Sequence, residues 1–383
     1  MTVFSREEVN KRHQRFRSCL GDCSAGVVFS FTNSYYLSGV PIIAWGRPTI
    51  VVVPKNGEPL LILAIGEKER AIAHSPISVI YTYTDDDGPS AQTAVRILGE
   101  ILKSKKYSRI AYDAAMAPAG MLDSLRSLIP DLHLKDLSQE LDELRLVNSE
   151  EELAHLRAAT AIADLGVETF LSEARIGARE VALAGRTMMA MTEYAADRYP
   201  NAEVRVNCYS QQGARSLQPH TAANGDPLTP GQLMCLVVEA HVWSYQAAVE
   251  RVIAVGDLNP EQALLRDTIV EAQKRAIAAV APGVACSTID EVARESFRAA
   301  GYTNLLCGAG LSRGVLSEWE GRIERGNLRS YNHSPLLPGM VITVEPFTAV
   351  PGVGAPRHCD MVGVTSDGHE VMSKARSGII RIG

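Results

Sequence analysis

The chain has no CxxC pair, and its seven cysteines are scattered and odd in number. That pattern excludes a zinc ribbon and a small disulfide framework, so reduced thiols in a cytoplasmic protein are expected. No apolar run approaches the roughly 18 residues needed to cross a bilayer. The opening MTVFSREEVNKRHQRF lacks the apolar core of a signal peptide, which leaves no membrane partner to expect. Positive charge is not in excess: the net charge is -6, which argues against nucleic acid as the main partner. The glycine-rich GAGLSRG lacks the lysine and spacing of a P-loop, so a phosphate cradle is not expected.

What is present is ordinary for a folded chain. There are 383 residues, 46% hydrophobic and 21% charged, enough for two domains with their own cores. Up to about residue 145 strands and helices alternate. A helix over Ser5–Leu20 leads to strand-like GVVFSF (26–31), IVVVPKNG (50–57) and PLLILA (59–64), and Asn56–Gly57 signals a hairpin. VIYTYT (79–84), a helix over 92–104 and RIAYD (109–113) complete an α/β domain. The run Asp85–Asp87 reads as a solvated turn before Gly88–Pro89 rather than a metal site. Ser149 followed by EEE predicts a capped helix over 149–173. The expected domains are therefore 1–147 and 148–383.

The second domain carries a weak internal repeat. Gly177 and Gly283 lie 106 residues apart, each between two helical segments. Gly231 and Gly339 lie 108 apart, each in a Pro-Gly turn that opens an apolar strand ending in glutamate. Two α+β halves, each delivering an acid from a strand end, predict a pseudo-twofold site between them.

Three acids stand out. Glu239 ends LMCLVVEA, Glu250 follows eleven residues later in AAVERV, and Glu345 closes VITVEP. A hairpin turning near Trp243–Ser244 would make Glu239 and Glu250 diagonal neighbours on one face, about 7–8 Å apart. Clustered carboxylates repel, so the pocket needs a proton or a cation. The plainer alternative, surface acids at strand ends, fits poorly with the apolar runs that Glu239 and Glu345 terminate.

These motifs, with LTPGQ, LLPGMVITVEP and RHCDMVGVTSDG, resemble the pita-bread family of creatinase, prolidase, aminopeptidase P and methionine aminopeptidase. The resemblance covers essentially the whole chain. It implies an α+β class: a C-terminal pita-bread domain with a smaller N-terminal α/β domain. Metallopeptidases of the family hold two metals with two aspartates, a histidine and two glutamates. Here those positions read Glu239, Glu250, Leu311, Glu345 and Cys359. Leu311 offers no donor, which makes a dinuclear peptidase centre unexpected.

The metal-free branch, creatinase and ectoine hydrolase, supplies the remaining assignments. SLQPHT gives His220 as general base and acid. Glu250 and Glu345, with Glu239 beside them, would grip a cationic amidine or guanidine. Arg47 in AWGRP and Arg322 in EWEGRIER would bind the substrate carboxylate. Creatinase's second-half histidines are absent, with Leu311, Glu318 and Cys359 in their places. Ectoine hydrolase would match at Glu239, Pro219–Thr221 and Gly310–Ser312. Cys359 would be a small pocket-wall residue, since neighbouring His358 points to the opposite strand face. Trp45 and Trp319 would wall the pocket or simply pack, and His241, Tyr245 and His333 could line it. The expectation is thus a hydrolase of a non-peptide C–N bond, without cofactor or metal. A homodimer would present Arg47 to the partner's site. Other readings are a metallopeptidase of Xaa-Pro type with an unusual site, a non-catalytic binding module, and a lyase or dehydratase reusing the pocket.

Overall fold

The computed structural model describes residues 2–41, 46–303, 308–317 and 323–383. These form two compact units, the first reaching Arg145 and the second starting at Leu146.

In the first unit the order is α1 (Arg6–Cys19), β1 (Ala25–Val28), α2 (Phe31–Ser38), β2 (Ile50–Pro54), β3 (Leu60–Ala64) and α3 (Lys68–His74). Then come β4 (Val79–Tyr83), α4 (Ser90–Ser104), β5 (Arg109–Tyr112), α5 (Ala119–Leu128), β6 (His133–Asp136) and α6 (Ser138–Leu146). One mixed sheet runs β4-β3-β2-β1-β5-β6. Alternate residues feed opposite cores: Val27, Ile50 and Val52 on one face, Val28, Val51 and Val53 on the other. The hairpin predicted at Asn56–Gly57 joins antiparallel β2 and β3, with Gly57 at φ 111°. The strand expected over 26–31 stops at Val28. There Asp113 accepts the backbone N–H groups of Phe29 (2.9 Å) and Ser30 (3.0 Å). Ser30 then caps α2 through the Asn33 N–H, so local capping wins over strand propensity.

The second unit opens with α7 (Glu150–Glu173), which starts in a full capping box between Ser149 and Glu152. It continues with α8 (Glu180–Arg198), β7 (Val204–Gln212), β8 (Gln232–Val242), β9 (Tyr245–Val255), α9 (Pro260–Ala278) and α10 (Cys286–Ala299). The last strands are β10 (Ser312–Arg313), β11 (Val341–Val344), β12 (Asp360–Val364), β13 (His369–Val371) and β14 (Ile380–Ile382). One sheet runs β14-β9-β8-β7 and the other β10-β11-β12-β13. They meet at an isolated bridge, where Glu250 and Cys359 exchange backbone hydrogen bonds of 3.1 and 3.0 Å.

Helix α7 lies tight on β8. A side chain at Gly166 would come within 2.6 Å of Met191 Sδ and Val238 Cγ1. Leu156, Ile162, Val167 and Phe170 of α7 are fully buried, each stabilising the fold by about 1.5–3 kcal/mol. In the second half Ala276 and Ile289, from α9 and α10, share a core with Ile342 and Val362. The repeat is visible in the backbone. Gly177 and Gly283 both sit at φ 83°, between α7 and α8 and between α9 and α10.

Candidate active site

Hairpin β8–β9 sets the first two acids. Its turn residues Trp243 and Ser244 both have positive φ, 51° and 62°. That is the two-residue geometry matched to strand twist. Val242 pairs with Tyr245, Glu239 with Ala248 and Val237 with Glu250. Glu239 and Glu250 are therefore diagonal neighbours on one face, which they share with Cys235 and Gln246. β7 adds Asn207 opposite Glu239 and Tyr209 opposite Val237. The opposite face, with Val238, turns to α7.

The other sheet brings the remaining groups. Glu345 follows β11, anchored by its N–H to the Ala309 carbonyl at 2.8 Å. Cys359 enters at the bridge to Glu250. Donor atoms of Glu250, Glu345 and Cys359 all lie within 4.8 Å of one another. Glu250 and Cys359 are buried, while Glu345 is partly open.

Glu239 is not part of this trio. Asn207 Nδ2 donates to its Oε2 at 2.9 Å and Gln246 Nε2 to its Oε1 at 3.4 Å. Gln246 in turn accepts from buried Arg313 Nη1 at 3.1 Å. A second arginine enters the pocket: Arg357 Nε lies 3.2 Å from Glu250 Oε2, and both side chains are almost fully buried. The angle is too poor for a hydrogen bond, so this contact is ionic and Glu250 Oε2 accepts none.

Burial raises the Glu250 carboxyl to about 7; Arg357 opposes the rise, and Glu345 and Glu239 add to it. Burial works against the charge on Arg357, but Glu250 outweighs it and keeps the guanidinium protonated. Burial, with Glu345 and Glu250 nearby, pushes the Cys359 thiol well above its usual range. Burial and then Glu250 raise the Tyr209 phenol as well.

His220 is exposed on the loop after β7. Its neighbour Pro219 fixes that loop to the site, its carbonyl accepting from Arg357 Nη2 (3.3 Å) and Tyr209 Oη (3.5 Å). Arg47 belongs to the first unit, where Asp85 holds it with Nε to Oδ1 at 3.1 Å. Trp45, Glu318, Trp319 and Arg322 lie outside the described residues. Leu311 sits opposite Thr343, joined only through its backbone and the Thr343 hydroxyl. His358 turns away and bonds Ser377 Oγ at 2.9 Å. Tyr245 donates to Glu152 at 2.8 Å, and His333 meets Ser287 at 3.0 Å.

The model of metallopeptidase family M24 matches residues 154–366, and that of the creatinase/prolidase N-terminal domain matches 12–147. The chain belongs to metallopeptidase family M24. This M24 chain is 26% identical to the Xaa-Pro dipeptidase of Pyrococcus furiosus over 351 residues, 91% of this chain and 92% of that one. It is also 26% identical to the creatinase of a Bacillus species over 384 residues, covering 97% and 92%. The Xaa-Pro dipeptidase structure from Bacillus anthracis superposes with a TM-score of 0.84 at 22% identity, over 98% of this chain and 100% of that one. The prolidase of Pyrococcus horikoshii gives 0.81 at 22%, over 98% and 100%. The fold is thus the creatinase N-terminal domain followed by the pita-bread domain, and the chain is a hydrolase by class.

These relatives overturn the expected metal-independent amidine or guanidine hydrolase, together with the cationic substrate assigned to it. The site explains why in physical terms. Glu250 already faces the protein's own guanidinium, and both Glu239 oxygens are held by side-chain amides. The carboxylate fork reserved for a substrate cation is therefore occupied from within.

Arg357 and Arg313 were missed by sequence reasoning. A signal existed: Arg357 lies two residues before Cys359 and Arg313 two after Leu311, and period-two alternation places such pairs on one face.

Proposed function

We propose that this M24 chain hydrolyses the peptide C–N bond of a short substrate of the Xaa-Pro dipeptide kind. The observation that carries this reading is the convergence of Glu250, Glu345 and Cys359 within 4.8 Å at the join of the two sheets. The dipeptidase relatives, aligned over nine-tenths of the chain, support the substrate class.

The family implies a pair of metals, and the residues here do not fit two. Leu311 supplies no donor, Glu239 is withdrawn onto Asn207 and Gln246, and Arg357 puts a fixed positive charge against Glu250. No step is therefore routed through a metal pair. Glu345, the partly open acid, takes the proton of the attacking water. His220, on the loop that Arg357 pins, returns a proton to the leaving nitrogen. Arg357 and Arg313 give the pocket positive charge where the carbonyl oxygen develops negative charge. The chain works as a homodimer.

A panel of Xaa-Pro dipeptides, creatine and cyclic amidines tests the reading. Dipeptide turnover is expected, with Glu345→Gln lowering kcat at least ~100-fold at similar KM. Failure to cleave any dipeptide, with or without added divalent ion, would sink it.

A further inference from the structure

We propose that a cavity in the first unit binds a free amino acid in its zwitterionic form, with Arg6 taking the carboxylate and Glu58 the ammonium. The inference goes beyond the peptidase reading and stands without it.

The cavity, about 380 Å³, is lined by α1, the turn joining β2 to β3 and the segment Pro76–Ile77. That volume is at the small end for a ligand pocket. Arg6, Asn10, His13, Gln14 and Arg17 recur at helical spacing, so one stripe of α1 forms a wall. A helix stripe that faces another element is normally apolar, and this one is polar along its length.

All three walls are held in place. Arg17 ties α1 to the turn, Nε donating to the Pro54 carbonyl at 3.0 Å and Nη2 to the Gly57 carbonyl at 2.8 Å. His13 Nε2 donates to the Leu37 carbonyl at 2.6 Å and fixes α1 against α2. Ser75 Oγ donates to the Ser38 carbonyl at 2.6 Å and accepts from the Ile77 N–H at 3.1 Å, which sets the third wall. Walls already placed cost a ligand little ordering.

The lining chooses the ligand. Among the described residues, no ion pair or hydrogen bond engages the side chains of Arg6, Asn10, Gln14 or Glu58. Arg6 and Glu58 thus present opposite charges to one cavity without pairing with each other. A simple anion would meet Glu58, and a simple cation would meet Arg6 and Arg17, so each would face its own sign. A ligand carrying both charges satisfies both walls through charge-assisted hydrogen bonds. His13 adds an acceptor for the ammonium. Its Nε2–H is spent on Leu37, and burial keeps the ring neutral, with its pKa lowered to about 4. Buried Pro59 and Ile77 offer an apolar surface for the amino acid side chain.

Full-length protein is titrated calorimetrically with L-leucine, N-acetyl-L-leucine, L-leucinamide and inorganic phosphate. L-leucine is expected to bind at one per chain. The acetyl and amide probes each lack one charge and should bind about 10-fold more weakly, and Arg6→Gln and Glu58→Gln should each weaken L-leucine about 10-fold. Both residues are exposed, so neither change disturbs the core. Lys11→Gln, on the same helix outside the cavity, and Glu345→Gln should keep the affinity. The proposal is overturned by no binding of L-leucine, by equal binding of either single-charge probe, or by tighter binding of phosphate. Binding that is lost at Glu345→Gln and kept at Arg6→Gln would place the amino acid among the acids of the second unit and overturn it as well.

Discussion

Arg357 and Glu250 face each other across 107 positions of chain, and both side chains are almost fully buried. Removing one partner strands the second charge in a low dielectric, which costs more than the pair itself contributes. Arg357→Ala is therefore expected to destabilise by about 3–5 kcal/mol, read as a fall in Tm of roughly 10 °C. The double variant Arg357→Ala/Glu250→Gln should recover at least half of that loss. Strictly additive losses in the double-mutant cycle would show that the two groups do not interact. His13 is a second residue-scale case. Its ring Nε2 meets the Leu37 carbonyl at 2.6 Å, and burial holds its pKa at about 4 against an ordinary 6.5. The folded state thus takes up its proton later than the unfolded chain. The stability that neutral His13 contributes is present above 6.5 and is lost as pH falls from 6.5 towards 4. His13→Gln cannot titrate. Its stability relative to wild type should improve by up to about 3 kcal/mol between pH 7 and pH 4, measured by urea unfolding. A pH-independent difference would contradict this.

Elements hold the site through close backbone approaches as much as through side chains. β10 is only two residues long, and just before it Gly310 lies so close to β11 that an added Cβ would sit 1.9 Å from the Thr343 carbonyl oxygen. Any side chain there must push the two segments apart. That would break the 2.8 Å bond from the Thr343 N–H to the Leu311 carbonyl and shift Glu345, two residues on. Gly310→Ala is expected to lower kcat by about 100-fold, the cost of a misplacement near 1 Å. Wild-type turnover would show that the two strands do not position the acid. The β9 strand is braced from its other face. Buried Arg251 donates at 2.8 Å to the Glu250 and Cys359 carbonyls and to Asp360 Oδ1, and Gln273 fixes Asp360 at 2.7 Å. This network holds the Glu250–Cys359 bridge in register without touching the pocket side.

At the scale of the molecule, the second unit is built from two halves with the same backbone plan. Gly177 and Gly283 share one left-handed conformation, and an added Cβ at either would meet nothing within 4 Å. Substitution there tests conformation alone. Gly177→Ala and Gly283→Ala should each cost about 1 kcal/mol, the usual expense of a left-handed alanine. Calorimetry that finds the two costs differing by several-fold would mean the halves do not carry the repeat equally. Among the described residues no helix is long and apolar enough to cross a membrane.

Much of this plan was legible in the chain. The helix opened by Ser149, the hairpin turning at Trp243–Ser244 and the paired glycines all rest on local rules of capping, twist and positive φ, which act over a few residues. The diagonal placement of Glu239 and Glu250 followed from strand alternation. The family was legible too, because its motifs sit in those same elements. Which acid stays free and which is taken was settled only by tertiary structure. The role of Glu239 beside Glu250 was left open by the sequence, and β7 sets Asn207 against it. Arg357 carried no mark of its own until the bridge of Glu250 to Cys359 brought it to a carboxylate far away in the chain. Local pattern fixes the face on which a side chain stands. Long-range pairing, driven by burial and by the need to satisfy buried charge, decides what that face meets.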